Sequence, residues 1–189
     1  MEKTALVLLA EGFEEVEAVT PIDYLRRAGI AVTTVAVGES RAVKGARGVE
    51  ITAETTLKDL AGQGKAGACP WDAVVVPGGI PGAPNIAASR EAGALIAGMA
   101  EAGKLVCAIC ASPAVVLAPL GILAGRKFTC YPGMEEKVPD GRWLEEPVVM
   151  DGNVVTSRGA GTSGLFAVAI IGRLLGEAEG AKIAKAVLL

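Results

Sequence analysis

The chain contains no histidine. That absence excludes Ser-His-Asp and Cys-His triads, and it removes the commonest nitrogen ligand for a metal. Aromatic residues are also scarce, at 4%, although 51% of the 189 residues are hydrophobic. The core must therefore be built from Ala, Val, Leu and Ile, and the length suits one domain over residues 1–189. Positive charge is not in excess. A net charge of −3 gives no electrostatic reason to expect nucleic acid or an anionic membrane as a partner. With 21% charged residues, the composition is that of a folded chain rather than a disordered one. The four cysteines, Cys69, Cys107, Cys110 and Cys130, do not form a disulfide framework in a chain this long.

Two apolar stretches could pass for membrane or export signals. "MEKTALVLLAEGFEE" has a very short apolar run, no small-x-small cleavage site and acidic residues directly after it. It is expected to be a first buried strand in a cytoplasmic protein. Residues 105–125 carry no charge, but Pro113, Pro119, Gly121 and Gly125 interrupt them and the pattern changes period at Cys110. A buried strand followed by a buried helix accounts for that pattern better than a membrane span.

The rest of the chain alternates between strand and helix patterns. "TALVLLA" (4–10) and "IAVTTVAVG" (30–38) have strand composition. Between them, "EEVEAVTPIDYLRRAG" (14–29) has helical spacing, acids in the first turn, arginines in the last and a glycine stop. "RAVKGARGVEIT" (41–52) suggests a small hairpin, "DAVVVPGG" (72–79) a buried strand, and "SREAGALIAGMAEAG" (89–103) a helix. Further strands are expected at 126–130 and on both sides of "DGN" (151–153), with closing helices at 162–175 and 177–188. This order predicts an α/β fold: a doubly wound, mostly parallel sheet with helices on both faces.

In such sheets, sites form beyond the carboxyl ends of the strands. Four segments fall there: "AEGFEEVE", "PGGIPGAPN", "CASP" and "SRGAGTSG". Cys110 stands where strand 105–109 meets the helix expected from "SPAVVLAPL", a corner like the nucleophile elbow of G-x-S-x-G hydrolases. A thiolate there would gain from free backbone N–H groups and the helix dipole. The alternative is a small buried cysteine in an apolar core.

Cys107 completes a C-x-x-C with Cys110, but it lies inside the strand, whereas a redox pair needs both sulfurs on one turn. Cys69 and Cys130 are expected to fill space. Without histidine, any acid or base must be a carboxylate, Lys, Tyr or a second thiol. Glu14 and Glu15 are expected to compensate the helix dipole on a solvated turn. Glu17 is flanked by Val16 and Ala18 and turned with Pro21 and Tyr24, so an apolar pocket would raise its pKa and let it shuttle a proton. "GAGTSG" (159–164) fits G-x-G-x-x-G, but no following strand and ribose-binding acid are evident. A tight turn, with Thr162 or Ser163 capping the next helix, is the simpler reading.

Taken in order, "EGFEEVEAVTPIDYLRRAGI", "DAVVVPGG", "AICASP" and "SRGAGTS" resemble the DJ-1/PfpI (ThiJ/PfpI) superfamily, in its branch around the parkinsonism-associated deglycase and bacterial relatives. The resemblance covers nearly the whole chain. It implies a flavodoxin-like sandwich, a homodimer, Cys110 as nucleophile and Glu17 as its carboxylic acid partner. It also implies oxyanion contacts from the backbone N–H groups of Gly79 and Ala111, and Arg47 as a possible anion contact. Many members have a histidine where this chain has Tyr131. An ordinary phenol, with a pKa of about 10, is a poor base near neutrality, so Tyr131 is not expected to replace it.

Two functions remain open at this point. One is a cofactor-independent glyoxalase- or deglycase-type enzyme acting on 1,2-dicarbonyls such as methylglyoxal, or on their early adducts with amines and thiols. The other is a redox sensor or stress-protective chaperone working through oxidation of Cys110.

Overall fold

The computed structural model describes residues 2–62 and 70–189. Cys69 lies outside the described residues. β1 (Thr4–Leu9) runs into α1 (Glu15–Arg27) and β2 (Ala31–Ala36). The hairpin β3 (Ala42–Lys44) and β4 (Glu50–Thr52) follows, then β5 (Thr55–Thr56) and α2 (Leu57–Gly62). Next come β6 (Ala73–Val76), α3 (Gly82–Ala88), α4 (Arg90–Glu101) and β7 (Leu105–Ile109). After a π-helical segment, Pro113–Leu117, the chain forms β8 (Lys127–Phe128), β9 (Arg142–Trp143), β10 (Val148–Asp151) and β11 (Val154–Ser157). It closes with α5 (Ser163–Leu175) and α6 (Glu177–Ala186).

Seven strands make one sheet in the order β10-β11-β7-β6-β1-β2-β5. All its pairings are parallel except β10 with β11. The unbroken apolar runs of β1 and β7 suit strands covered on both faces. Alternate side chains supply the two sides. Leu6, Leu8, Val74, Val76, Val106 and Ala108 pack with Ile86, Leu95, Ile96 and Met99 of α3 and α4. Val7, Leu9, Val75, Cys107 and Ile109 pack with Leu25 of α1 and with Phe166, Ile170 and Ile171 of α5. This is the doubly wound sandwich that the sequence pattern predicts, with the flavodoxin-like form that the family resemblance implies. The chain leaves β1 for β2 on one side and later lays β6 along its other side. The crevice beyond the carboxyl ends of β1 and β6 is therefore the topological switch point, where such folds hold ligands.

Several local expectations need correction. Only Lys127–Phe128 of the 126–130 stretch forms a strand, and it pairs with β9 in a separate two-stranded sheet. Thr129 turns aside to donate its N–H to Thr156 Oγ1 at 2.9 Å. The helix expected after Cys110 is the five-residue π segment followed by turns, with Gly121 at φ 73°. Neither Thr162 nor Ser163 caps α5 through its side chain. Thr162 Oγ1 accepts from the Gly159 N–H at 3.2 Å, and Ser163 Oγ is buried without a partner. The helices α2 and α3 were not anticipated from composition, because α3 lies within a Gly- and Pro-rich stretch. No helix among the described residues is long and apolar enough to cross a membrane.

Candidate active site

Cys110 follows β7 directly and adopts φ 63°, the left-handed region that costs a non-glycine residue about 1–2 kcal/mol. The surroundings impose that conformation. Its N–H donates to Ser157 O at 3.0 Å, and its carbonyl accepts from the Tyr131 N–H at 2.8 Å. Two residues on, Ser112 Oγ donates to Pro77 O at 2.6 Å. The elbow is thus tied to β11, to the segment after β8 and to the loop after β6.

α1 places the carboxyl group. Glu14 caps the helix, its Oε2 accepting the Glu17 N–H at 2.9 Å. Glu17, Ala18, Pro21 and Leu25 form the buried face of α1. Glu17 is 1% exposed, its Oε2 accepts the Gly78 N–H at 2.9 Å, and its carboxyl is hydrogen-bonded to the Cys110 thiol. Burial pushes the Glu17 pKa up from 4.5 to about 7, against the opposing effects of the Cys110 and Gly78 hydrogen bonds. The Cys110 thiol is pushed up to about 12, first by burial and then by the negative charge of Glu17. The backbone N–H groups of Ala111 and Gly79 point at the sulfur and oppose this rise. The helix dipole expected to lower the thiol pKa has little to work with, because only a five-residue π segment follows.

The two groups are best treated as a pair that shares protons. With Glu17 ionised, its charge keeps the sulfur protonated. With the proton on the carboxyl, the repulsion disappears and the acid can donate to a thiolate. Gly78 permits this closeness. A Cβ on it would stand 2.6 Å from Glu17 Oε2 and 2.7 Å from Cys110 Cβ, closer than real Cβ atoms approach. Gly79, at φ 93°, makes the turn that aims its N–H at the sulfur.

Cys110, Glu17, Gly79, Ala111 and Arg47 all line one cavity of about 320 Å³, together with Glu14, Ala46, Ile80, Tyr131, Met134 and Ala160. Every site residue expected from sequence is therefore brought to one place. Gly78, Ile80 and Met134 were missed; the glycine pair in "VVVPGG" was the available signal for the first. Glu15 departs from expectation. It is 7% exposed rather than solvated, and its Oε1 accepts the N–H groups of Arg47, at 2.6 Å, and Val49, at 3.3 Å. It anchors the β3–β4 hairpin, and with it Arg47, beside the cavity. Cys107 is fully buried within β7, and its pKa rises through burial alone. Cys130 is also fully buried, its thiol pushed up to about 12 by burial and then by Glu135. Among the described residues, no group of three or more Cys, Asp or Glu side chains is placed to hold a metal ion.

The fold and this pairing define a class: flavodoxin-like α/β sandwiches with a cysteine and a carboxylic acid at the switch point. The chain belongs to the DJ-1/PfpI family, whose model matches residues 3–173. It is 41% identical over 184 residues to Protein DJ-1 homolog B of Arabidopsis thaliana, covering 97% of this chain. The chain spans only 41% of that plant relative's length. A Caenorhabditis elegans relative named glutathione-independent glyoxalase DJR-1.2 is 36% identical over 178 residues, covering 93% of this chain and 90% of its own. The crystal structure of Drosophila melanogaster DJ-1beta superposes with a TM-score of 0.92 at 39% identity, covering 100% of this chain and 99% of that one. The family thus includes a protein named as a glyoxalase.

Proposed function

We propose that the protein is a cofactor-independent glyoxalase- or deglycase-type enzyme acting on 1,2-dicarbonyls such as methylglyoxal, or on their early adducts with amines and thiols. One observation carries the reading: a buried carboxyl, its pKa raised to about 7, is hydrogen-bonded to a cysteine at the floor of an open cavity. The name of the nematode relative supports it.

The chemistry needs a nucleophile, one proton shuttle and oxyanion donors. Cys110 thiolate adds to the aldehyde carbon of methylglyoxal, and protonated Glu17 delivers its proton to the resulting alkoxide, giving a hemithioacetal. The Glu17 carboxylate then removes the proton from the hemithioacetal carbon, leaving an enediolate with its charge on the former ketone oxygen. Returning that proton to the neighbouring carbon, while the hydroxyl proton of the former aldehyde passes to the former ketone oxygen, yields a 2-hydroxy thioester on Cys110. Water cleaves the thioester to lactate and restores the thiol–carboxylate pair. Overall, one methylglyoxal and one water give one lactic acid, with no external oxidant or reductant. The N–H groups of Gly79 and Ala111 are close enough to the sulfur to meet an oxyanion formed on the carbon it attacks.

A second reading has its own support. The same two N–H groups and the Glu17 acid would stabilise oxygens on an oxidised Cys110, the basis of a redox sensor or a stress-protective chaperone. A homodimer is also proposed. Val16 and Val19 are exposed one turn apart on α1, which gives an apolar patch that a second copy can cover, and Val49 is exposed as well. Cytoplasmic residence suits the free thiols Cys107, Cys110 and Cys130. The deciding experiment supplies methylglyoxal to purified protein and follows lactate, beside Cys110→Ser and a peroxide-treated sample. Lactate from the parent alone supports the enzyme. No lactate from any sample, with Cys110 readily oxidised by peroxide, supports the sensor.

A further inference from the structure

Three large side chains line the cavity that holds Cys110, and two of them, Ile80 and Tyr131, are exposed instead of packed into the core. Ile80 is 64% exposed and Tyr131 is 54% exposed, while Met134 is half-buried against the core. All three line the same cavity as Cys110. Their backbones are fixed close to the chemistry. Ile80 follows Gly79, whose N–H points at the sulfur, and the Tyr131 N–H donates to Cys110 O at 2.8 Å. The point where a Cβ on Gly159 would stand lies 3.7 Å from the Tyr131 ring and 3.9 Å from Glu17 Oε1. The ring thus flanks the acid across a glycine. The remaining wall is small, formed by Ala46, Ala111 and Ala160, with Glu14 and Arg47 as the charged residues besides Glu17. Glu14 is already engaged as the cap of α1.

Exposed apolar side chains ringing a polar floor mark a surface that gains from being covered. The cavity holds about 320 Å³, on the order of ten times a water's share of liquid volume at ~30 Å³. Methylglyoxal would leave most of that space to solvent, and its methyl group is too short to span from Cys110 to Ile80, Met134 and Tyr131 together.

We infer that this site selects 1,2-dicarbonyls bearing an apolar substituent, such as an aryl or branched-alkyl glyoxal, over methylglyoxal, and that Ile80, Met134 and Tyr131 set this preference. The inference rests on the dicarbonyl reading above for its substrate class. The aldehyde carbon sits at the sulfur, between Glu17 and the N–H groups of Gly79 and Ala111. The substituent then projects outward between Ile80, Met134 and the Tyr131 ring.

Two measurements test it on the full chain. The first compares kcat/KM for phenylglyoxal and methylglyoxal in the parent and in the Ile80→Ser/Met134→Ser double variant, with Tyr131→Ser as a second variant should the double one fail to fold. The second compares Cys110 labelling by N-phenylmaleimide and N-methylmaleimide, each rate divided by that of free cysteine. Both ratios should favour the phenyl compound by about 10-fold in the parent, on the scale that an apolar pocket discriminates. Both should fall towards parity in the variants. A normalised labelling ratio at or below one in the parent, or one unmoved by the variants, overturns the inference. Absence of turnover with both dicarbonyls, with the labelling preference intact, would sink the enzyme reading while leaving the apolar rim as the selecting element.

Discussion

Replacing Glu17 by Gln should make stability depend differently on pH. The carboxyl is buried, and burial raises its pKa from 4.5 to about 7. Between those two values the folded chain keeps a proton on this group that the unfolded chain has released. The Glu17 contribution to stability therefore declines as pH rises from about 4.5 to about 7, and it is flat above and below the window. A difference of about 2.5 units, at 1.36 kcal/mol each, amounts to about 3 kcal/mol. Glutamine fills the same space and can still accept the Gly78 N–H, but it has no charge to bury. The stability of Glu17→Gln relative to the parent should thus rise by about 3 kcal/mol across the window. In a chain of this size that is about 6–12 °C in melting temperature. Thermal melts of both proteins from about pH 4.5 to about pH 8 provide the assay, and any constant offset from the substitution drops out. A difference between the two proteins that stays level with pH, or that moves in the parent's favour as pH rises, would refute the buried-acid assignment.

Other outcomes follow from the same geometry. Limiting iodoacetamide should label Cys110 first, and Glu17→Gln, which removes the negative charge that holds the thiol up, should lower the pH at which labelling sets in; first labelling of Cys130 would contradict the site. Gly78→Ala should displace Glu17 or Cys110, costing about 1–3 kcal/mol of stability and ~10²-fold in turnover; parental kinetics would show that the close approach is dispensable. Light scattering should find a dimer at micromolar concentration and a monomer for Val16→Asp/Val19→Asp, whereas a parental monomer would remove the apolar face as an interface.

The legible parts of the molecule were those where local pattern and burial agree. β1 and β7 announce themselves because strands covered on both faces need unbroken apolar runs. The Cys110 elbow was visible because strand pattern gives way to Ala-Ser-Pro directly after it. Glu17 stood out by its apolar flanks. What escaped depends on partners distant in the chain. Glu15 is buried because backbone donors at Arg47 and Val49 reach it from the hairpin, and nothing adjacent to it reports that. α3 forms in a glycine- and proline-rich stretch, with the Ala83 N–H reaching Gly79 O and the Gly82 N–H reaching Gly12 O. The helix expected after Pro113 is cut short near Pro119 and Gly121, where turns replace it. Gly78 gives no sequence signal beyond being glycine, yet its N–H holds the acid.

The account rests on Cys110 as nucleophile and Glu17 as proton shuttle. Isotope-labelled methylglyoxal added to three proteins, with product and bound carbon followed by NMR, separates the two roles. The parent should form lactate. Cys110→Ser should form neither lactate nor adduct. Glu17→Gln should hold a hemithioacetal on Cys110 while lactate falls by ~10²-fold or more. Lactate from Glu17→Gln at the parental rate, or an unchanged yield from Cys110→Ser, would contradict the account.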